Sequence, residues 1–299
     1  MIHKSGFVNI IGFPNVGKST LINSLVRENI SIITNKPQTT RHRILGIIDE
    51  SDFQIIFSDT PGIILNPISF MQRMMMQYVE KSLEDADIVL LVTEIGKLNF
   101  FKKKYFSFIL NSIQKKNIPV IILINKIDKM GIKNEKLFYD TIDDWHEFIP
   151  HSEILPISAL KKMNQDLLMN KILGLLSEHP PYYPKGILSD KSERFFVNEI
   201  IREKIFFFYK KEIPYSVEIS TEQFQENEIF IDIFSSIYVE RDSQKKIIIG
   251  NQGNSIKKLG YFSVKRMEDF FKKKVYLKLN VKVCQNWRSN YKKLKNFGY

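Results

Sequence analysis

The stretch Gly12-Phe13-Pro14-Asn15-Val16-Gly17-Lys18-Ser19 constrains this chain more than any other feature. It reads G-x-x-x-x-G-K-[ST], and its surroundings narrow the meaning further. An apolar run, Phe7 to Ile11, precedes it and is long enough for a buried strand. Thr20 to Val26 follows with the apolar spacing of a helix. Strand, glycine loop and helix in that order make a cradle for phosphate. The glycines let backbone N–H groups curl toward phosphate oxygens, and the helix adds its positive N-terminus. Lys18 is then placed to reach β- and γ-phosphates, and the Ser19 hydroxyl to hold Mg²⁺. Every residue from Gly12 to Thr20 is therefore expected to line a nucleotide.

Three further segments follow in the order that a GTP site requires. Asp59-Thr60-Pro61-Gly62 comes after the apolar run Phe53–Phe57. A carboxylate at a strand end holds the Mg²⁺ shell through water, and the Gly62 N–H senses a γ-phosphate. Asn125-Lys126-Ile127-Asp128 follows Val120–Ile124. Asp128 is the expected base reader, accepting hydrogen bonds from the N1–H and 2-amino group of guanine. Adenine lacks that pair of donors and would leave the carboxylate unpaired, a discrimination of about 10⁴-fold. Ser158-Ala159 follows Ile154–Ile157 and is expected to lend a backbone N–H to guanine O6. Each short segment alone is an ordinary turn; four in order, each at a strand end, specify the site.

Between the first two lies Ser31 to Leu45, with Gln38-Thr39-Thr40-Arg41, Pro37 and no clear period. It reads as a mobile loop that closes over Mg²⁺ when a γ-phosphate is present. Thr40 is the expected ligand beside Ser19 and Asp59, with Thr39 second. A second mobile region would run from Gly62 through Met71 to Met76, whose methionines read as helix packing. Ile63 stands where many signalling GTPases carry a glutamine that orients the attacking water, which isoleucine cannot do. Catalysis is therefore assigned to Lys18, Thr40, the Gly62 backbone and Asn15. In a subset of such GTPases an asparagine at this loop position coordinates K⁺, which supplies charge otherwise given by an arginine finger. The alternative is that Asn15 only suits a tight turn.

The elements around these motifs alternate. Gly6–Ile11, Ile44–Glu50, Phe53–Phe57, Ile88–Val92, Val120–Ile124 and Ile154–Ile157 read as strands. Lys18–Arg27, Pro67–Glu84, Phe101–Lys116, Lys136–Phe148 and Gln165–Ser177 read as helices, with Lys102-Lys103-Lys104 a solvated face. Crossovers of this kind imply an α/β domain with a mostly parallel sheet over 1–178. His179 to Gly186 holds three prolines and a glycine and cannot continue a helix, so 179–190 reads as a linker.

From 191 to 299 the pattern changes to α-β-β-α-α-β. Arg194–Tyr209 is helical, Tyr215–Ser220 and Ile229–Val239 are strand-like, Ser255–Leu259 and Ser263–Phe271 are helical, and Val275–Val283 alternates as a strand. Gly250-Asn251-Gln252-Gly253 follows Ile247–Ile249 and sits between two helical or extended apolar segments. This is the layout of a KH domain, whose GXXG loop clamps a single-stranded backbone. Gly250, Asn251, Gln252, Gly253, Lys257 and Lys258 are the expected RNA contacts; the alternative is a plain helix–turn–helix in an unrelated α+β domain.

Charge points the same way. The formal net charge is +11, and from Arg241 onward sixteen Lys/Arg face three Asp/Glu. So concentrated a field suggests a polyanionic partner, against the bland reading of solvated, codon-biased lysine. A single cysteine, Cys284, permits no disulfide framework or zinc cluster within the chain; it reads as a small core residue in a reducing, hence cytoplasmic, setting. The five histidines show no ligand spacing, and no apolar run has the length of a membrane span.

With both halves read, the whole chain resembles the bacterial Era family of GTPases. Gly12 to Leu21, Gln38 to His42, Asp59 to Gly62 and Asn125 to Asp128 look like its nucleotide motifs. Glu199 to Lys204, Ile213 to Val217, Val239 to Arg241 and Ile249 to Gly253 look like its later helix and KH region. The resemblance implies a Ras-like P-loop GTPase domain followed by a type II KH domain, with Mg²⁺ as cofactor and GTP/GDP as ligands. It implies a switch that binds the 3′ end of 16S ribosomal RNA during small (30S) subunit assembly, as a cytoplasmic monomer with peripheral contact to the inner membrane face. Two departures stand out: Phe13 and the neutral pair Asn251-Gln252 replace basic residues usual in the family, and Gln252 is expected to cost one phosphate contact. Two other readings remain: a GTP-holding RNA-binding protein with negligible hydrolysis, and a membrane-surface GTPase whose basic tail meets anionic lipid.

Overall fold

The computed structural model describes residues 3–96, 104–131, 135–150 and 152–299. The Phe101–Lys103 start of one expected helix and His151 lie outside the described residues, as does the side chain of Lys104. The chain forms two compact units that meet in sequence at Asp190 and Lys191.

In the first unit the elements run β1 (Lys4–Gly12), α1 (Lys18–Val26), β2 (Ile44–Asp49), β3 (Phe53–Asp59), α2 (Phe70–Glu84), β4 (Ile88–Glu94), α3 (Lys104–Lys115), β5 (Val120–Asn125), α4 (Glu135–Phe148), β6 (Glu153–Pro156) and α5 (Gln165–Leu175). The strands order as β2-β3-β1-β4-β5-β6. All neighbours are parallel except β2, which pairs antiparallel with β3 through the short Glu50–Asp52 turn. The central strands are apolar along almost their full length because helices cover both faces: Ile10, Ile11, Ile55, Ile56, Leu90 and Ile122 are all buried. From β1 the chain order steps to β3 on one side and β4 on the other. Ligands of open α/β sheets bind at such a switch, at the carboxyl ends of the strands. Gly12, Asp59 and Asn125 each end a strand there.

The proline-rich segment after α5 is strapped to the first unit's edge strand. Ile47 N donates to Leu188 O at 2.9 Å, Leu45 N to Asp190 Oδ1 at 3.0 Å, and Ser189 Oγ to Leu45 O at 2.5 Å. Gln54 adds Nε2 to Tyr183 O and takes the N–H groups of Tyr182 and Tyr183, each at 2.9 Å. The bonds at Leu45 and Ile47 satisfy β2 groups that would otherwise form an open sheet edge.

The second unit runs α6 (Glu193–Phe208), the single turn α7 (Ile213–Ser216), β7 (Glu218–Glu226), β8 (Phe230–Val239), α8 (Asp242–Ile249), α9 (Asn254–Phe271), β9 (Lys274–Val283) and α10 (Tyr291–Asn296). Its three strands order as β7-β8-β9, the first pair antiparallel and the second parallel. One core joins Val197, Ile201 and Ile205 of α6 with Ile231, Ile233 and Ile237 of β8, Leu259 and Met267 of α9, and Val275 and Val281 of β9.

Three expectations need correction. Tyr215 and Ser216 belong to a helical turn, because Pro214 has the fixed φ that suits a first turn, and the strand starts at Glu218 and continues to Glu226. Ser255–Leu259 and Ser263–Phe271 are one helix: Gly260 is accommodated within α9, where a side chain would meet only Leu279 at 3.8 Å. Cys284 is only half buried. The chain after β9 is ordered by Trp287, fully buried, whose Nε1 donates to Ser216 O at 3.1 Å. Phe297 lies 5.6 Å from the Trp287 ring and 5.0 Å from that of Tyr238.

Candidate functional site

The phosphate loop leaves β1 at Gly12 and enters α1 at Lys18. Asn15 (φ 67°) and Gly17 (φ 98°) supply its left-handed turns. A side chain at Gly17 would put its Cβ 2.3 Å from Asn125 Nδ2, so only glycine fits. Lys18 is buried, and its ammonium donates to Gly12 O at 3.1 Å and Phe13 O at 2.9 Å, clasping the loop from inside. Burial lowers its pKa to about 8, with the Asp59 charge working the other way.

Three oxygens expected at the metal meet beside it. Ser19 Oγ donates to Asp59 Oδ2 at 2.9 Å and lies 3.1 Å from Thr40 Oγ1, which itself reaches Asp59 Oδ2 at 3.5 Å. Thr39, the second choice, is turned away: its hydroxyl lies 2.6 Å from Thr34 Oγ1 and donates to Lys36 O at 2.7 Å. Burial raises the Asp59 pKa, offset by the Lys18 charge and neighbouring hydroxyls. Its Oδ1 is buried and has no hydrogen-bond partner among the described residues. An unpaired carboxylate oxygen in such a place is costly unless a cation or water completes it. Hydroxyls and one carboxylate, with no cluster of three or more His/Cys/Asp/Glu among the described residues, fit Mg²⁺ that takes its remaining ligands from phosphate and water.

A cavity of 310 Å³ opens over this cluster, lined among others by Pro14, Asn15, Gly17, Thr20, Thr40, Gly62 and Lys126. Other expected residues serve it indirectly. The Phe13 ring turns to Phe106 (5.7 Å between centroids), leaving its backbone to the loop. Val16 is buried and offers its carbonyl to Asn125 Nδ2 at 2.7 Å. Thr60 is buried and donates to Ile10 O at 2.8 Å, and Pro61 is buried beside it. Ile63 is buried too, with its N–H on Gly12 O at 3.1 Å.

At the base end, Asn125 ties three segments together. Besides Val16 O, its Oδ1 accepts the Ala159 N–H at 2.9 Å. That N–H was expected to face guanine O6; an incoming O6 must share it. Lys126 (φ 68°) donates from Nζ to Asn15 O at 2.6 Å and to Glu94 Oε1 at 2.5 Å. Asp128 stands exposed on a short 3₁₀ turn, and one carboxylate oxygen accepts from Ser158 Oγ at 2.5 Å. Ser158 Oγ in turn accepts from Lys161 N at 3.0 Å, so the buried serine aims the carboxylate. Glu94, at the end of β4, and the Ser158 hydroxyl were missed from sequence. Their only signal was a polar residue closing an apolar run, with its partner some thirty positions away.

In the second unit α8 ends at Gly250 (φ 74°), and Gln252 (φ 51°) and Gly253 (φ 77°) complete the turn into α9. A Cβ at Gly250 would lie 2.1 Å from Ser255 Oγ, whereas one at Gly253 meets only Lys257 Cε at 3.9 Å. Asn251 is exposed, α9 has no side-chain cap, and Lys257 flanks the loop. Lys258 instead lies 5.1 Å over the Phe208 ring of α6.

A phosphate loop with a carboxylate base reader, joined to a GXXG-bearing α-β-β-α-α-β unit, defines a P-loop GTPase carrying a KH domain. Residues 7–126 match the family described as 50S ribosome-binding GTPase, and residues 212–288 match the KH domain. GTPase Era of Clostridium kluyveri is 40% identical over 301 residues, covering 99% of each chain. The chloroplastic GTPase ERA1 of Zea mays is 43% identical over 303 residues, covering 99% of this chain and 71% of that one. The structure of Era with MgGDPNP and nucleotides 1506–1542 of 16S ribosomal RNA has a TM-score of 0.90 at 37% identity, over 99% of both chains. A point variant of Aquifex aeolicus Era bound to GDP·AlF₄⁻ has a TM-score of 0.91, again at 37% identity over 99% of both. The chain belongs to the Era family of GTPases.

Proposed function

We propose that this GTPase is a nucleotide-gated switch that binds the 3′ end of 16S ribosomal RNA through its KH unit and acts in assembly of the small subunit. The observation that carries the switch is the meeting of Ser19, Thr40 and Asp59. Thr40 comes from an irregular loop and Ser19 from a helix, so a γ-phosphate with its cation has a loop to hold. Mg²⁺, held by Ser19, Thr40 and Asp59, would neutralise charge on the β- and γ-phosphate oxygens. Lys18 adds a donor to the same oxygens, the Gly62 N–H meets the γ-phosphate, and Asp128, aimed by Ser158, reads guanine. Ile63 offers no group to orient water, so positioning falls to the backbone and to a monovalent cation. Asn15 Nδ2 donates to Asn35 O at 3.1 Å. With its amide reversed, Asn15 would turn an oxygen toward the same carbonyl, a pair suited to K⁺. The RNA part is supported by the likeness of the whole chain to an Era caught with both MgGDPNP and that RNA segment.

In this reading 1–178 is the GTPase domain, 179–190 the linker and 191–299 the RNA-binding domain of a cytoplasmic monomer. Among the described residues no helix is long and apolar enough to cross a membrane. Contact with the inner membrane face would thus be electrostatic, through the basic C-terminal third. One experiment tests the whole reading: crosslinking to small-subunit precursors with GTP, with GDP and with neither, mapping the RNA and measuring phosphate release in K⁺ and in Na⁺. RNA other than the 16S 3′ end, or capture indifferent to nucleotide, overturns the switch. Equal rates in the two salts remove K⁺.

A further inference from the structure

Among the described residues, the sheet of the second unit buries one face and leaves the other half open, with Ser236 and Glu218 covered and Phe230, Phe234 and Tyr238 partly exposed. The odd-numbered residues of β8 and β9, such as Ile231, Ile233 and Val281, face the helices. The even-numbered ones point the opposite way. The parallel register sets Phe230 beside Lys274, Phe234 beside Lys278 and Tyr238 beside Lys282, an aromatic on the central strand against a lysine on the edge strand each time. Lys278 Nζ lies 5.8 Å over the Phe234 ring, and Lys282 Nζ lies 5.7 Å over that of Tyr238. Tyr276, 61% exposed, sits edge-on to Phe230 at 5.2 Å. The C-terminal segment covers only the Tyr238 end, where Phe297 packs on that ring and Tyr299 OH donates to Glu218 at 2.7 Å.

Lysines alone on an edge strand would be ordinary protection against edge-to-edge pairing. That purpose does not explain aromatics at every second outward position of β8, which is paired on both sides. Aromatic rings in a row, each beside a cation, are what a single-stranded nucleic acid uses: bases stack on rings and phosphates meet the lysines. Besides Glu218 at the Tyr238 end, two acids lie on or beside this face. Glu222 takes Lys282 at 2.6 Å, and Asp232 stands exposed opposite Tyr276. Lys274 has a loose 3.5 Å pair with Glu268, which a phosphate can replace. Asp232 and the exposed Gln223, opposite Phe234, offer acceptor and donor groups to base edges.

We propose that this half-open sheet face is a second binding surface for single-stranded RNA, distinct from the GXXG loop, with bases stacked on Tyr276 and Phe234 and phosphates on Lys274 and Lys278. The inference goes beyond the proposed function and rests on the nucleic-acid reading of the same unit. The test uses the full chain and fluorescence anisotropy with an RNA of about 30 nucleotides. Tyr276→Ala combined with Lys278→Ala should weaken binding about tenfold or more, while Tyr276→Phe, which keeps the stacking ring, should bind as wild type. In a Gly253→Asp background, residual binding should be lost on adding the same pair. Unchanged thermal unfolding of each variant accompanies the measurement. Wild-type affinity in the Tyr276/Lys278 double variant overturns the sheet surface and leaves the GXXG reading standing. Residual binding in the Gly253→Asp background that ignores the pair also overturns it, as does a concentration-dependent dimer abolished by Tyr276→Ala, which would make the face a self-association surface.

Discussion

The two glycine loops of this chain use the same materials in opposite ways. Gly12–Ser19 and Gly250–Gly253 both turn through positive φ and both lead into a helix. The first is cross-tied and partly sheltered: Lys18 clasps its carbonyls, Asn125 fills the space at Gly17, and Asp59 and Thr40 close on Ser19. The second stands open, with room above Gly253. A compact, highly charged ligand rewards a rigid, desolvated socket in which each donor is already aimed. A polymer backbone that must thread through rewards an open turn whose binding is shared with neighbouring lysines and is sensitive to salt. The glycines differ accordingly. Those at 17 and 250 have no room for a side chain, whereas one at 253 would meet only Lys257 at 3.9 Å.

That contrast can be broken most sharply at the base reader. Asp128→Asn should lower GTP affinity by about 10⁴-fold and raise that for XTP, since asparagine donates to a 2-oxo group. Titration with both nucleotides checks it, and RNA binding measured without nucleotide should stay as it was. Equal affinity of the variant for GTP and XTP would remove Asp128 from its role. Lys18→Ala comes next, with single-turnover hydrolysis about 10²–10³-fold slower and no change in RNA affinity. Gly253→Asp mirrors it, weakening binding to a 16S 3′-end oligomer by about 2 kcal/mol, roughly 30-fold, with GTP turnover untouched. If either variant disturbs both ligands alike, the two loops are not independent.

A smaller effect follows from the Lys18 pKa of about 8 in the free site. Nucleotide phosphates prefer the ammonium form, so binding takes up a proton wherever the free site has lost one. Nucleotide affinity is then full below pH 8 and falls as pH rises through it, by about tenfold between pH 7 and 9. The sign for folding is opposite. Because the folded value lies below the ordinary 10.5, the free protein gains stability from this group as pH rises from about 8 to 10.5. A flat affinity profile in calorimetry across pH 7–9 would contradict the buried-lysine account. The smallest effect separates the two KH glycines. Gly250→Ala should cost about 2–3 kcal/mol in denaturant unfolding, from positive φ plus a clash with Ser255. Gly253→Ala should cost about 1 kcal/mol, from φ alone.

Much of this was readable before any coordinates. Strand, loop and helix patterns placed the phosphate loop, because backbone chemistry at such a site tolerates few residue types. Thr40 was legible as one of two neighbours, and the bonds of Thr39 to Thr34 and Lys36 turn the other away. Long-range ties were not legible. Glu94 meets Lys126, and Ser158 aims Asp128, across separations that leave no local pattern. The C-terminal clasp was hidden for a different reason. Its few apolar residues, Trp287, Leu294 and Phe297, are scattered among lysines and asparagines, so charge dominated the reading. The sheet aromatics were visible as strand residues, but which side they face depends on register, and a one-residue slip would have reversed it.

The strap across β2 bears on how much freedom the chain has between its halves. Arg43, at the foot of the Thr40 loop, makes a two-pronged pair with Asp85 at 2.7 and 2.9 Å and holds Ser58 at 2.7 Å, so β2 starts from a fixed point. Asp190 is fastened to the same strand, and α6 begins at Glu193. Only Lys191 and Ser192 lie between fastening and helix. A leash that short keeps whatever the KH unit carries at a millimolar-scale local concentration around the nucleotide unit, whatever their orientation. Cutting the strap, for instance with Asp190→Ala, would lengthen the leash without touching either ligand site, and the two binding events should then become more nearly independent.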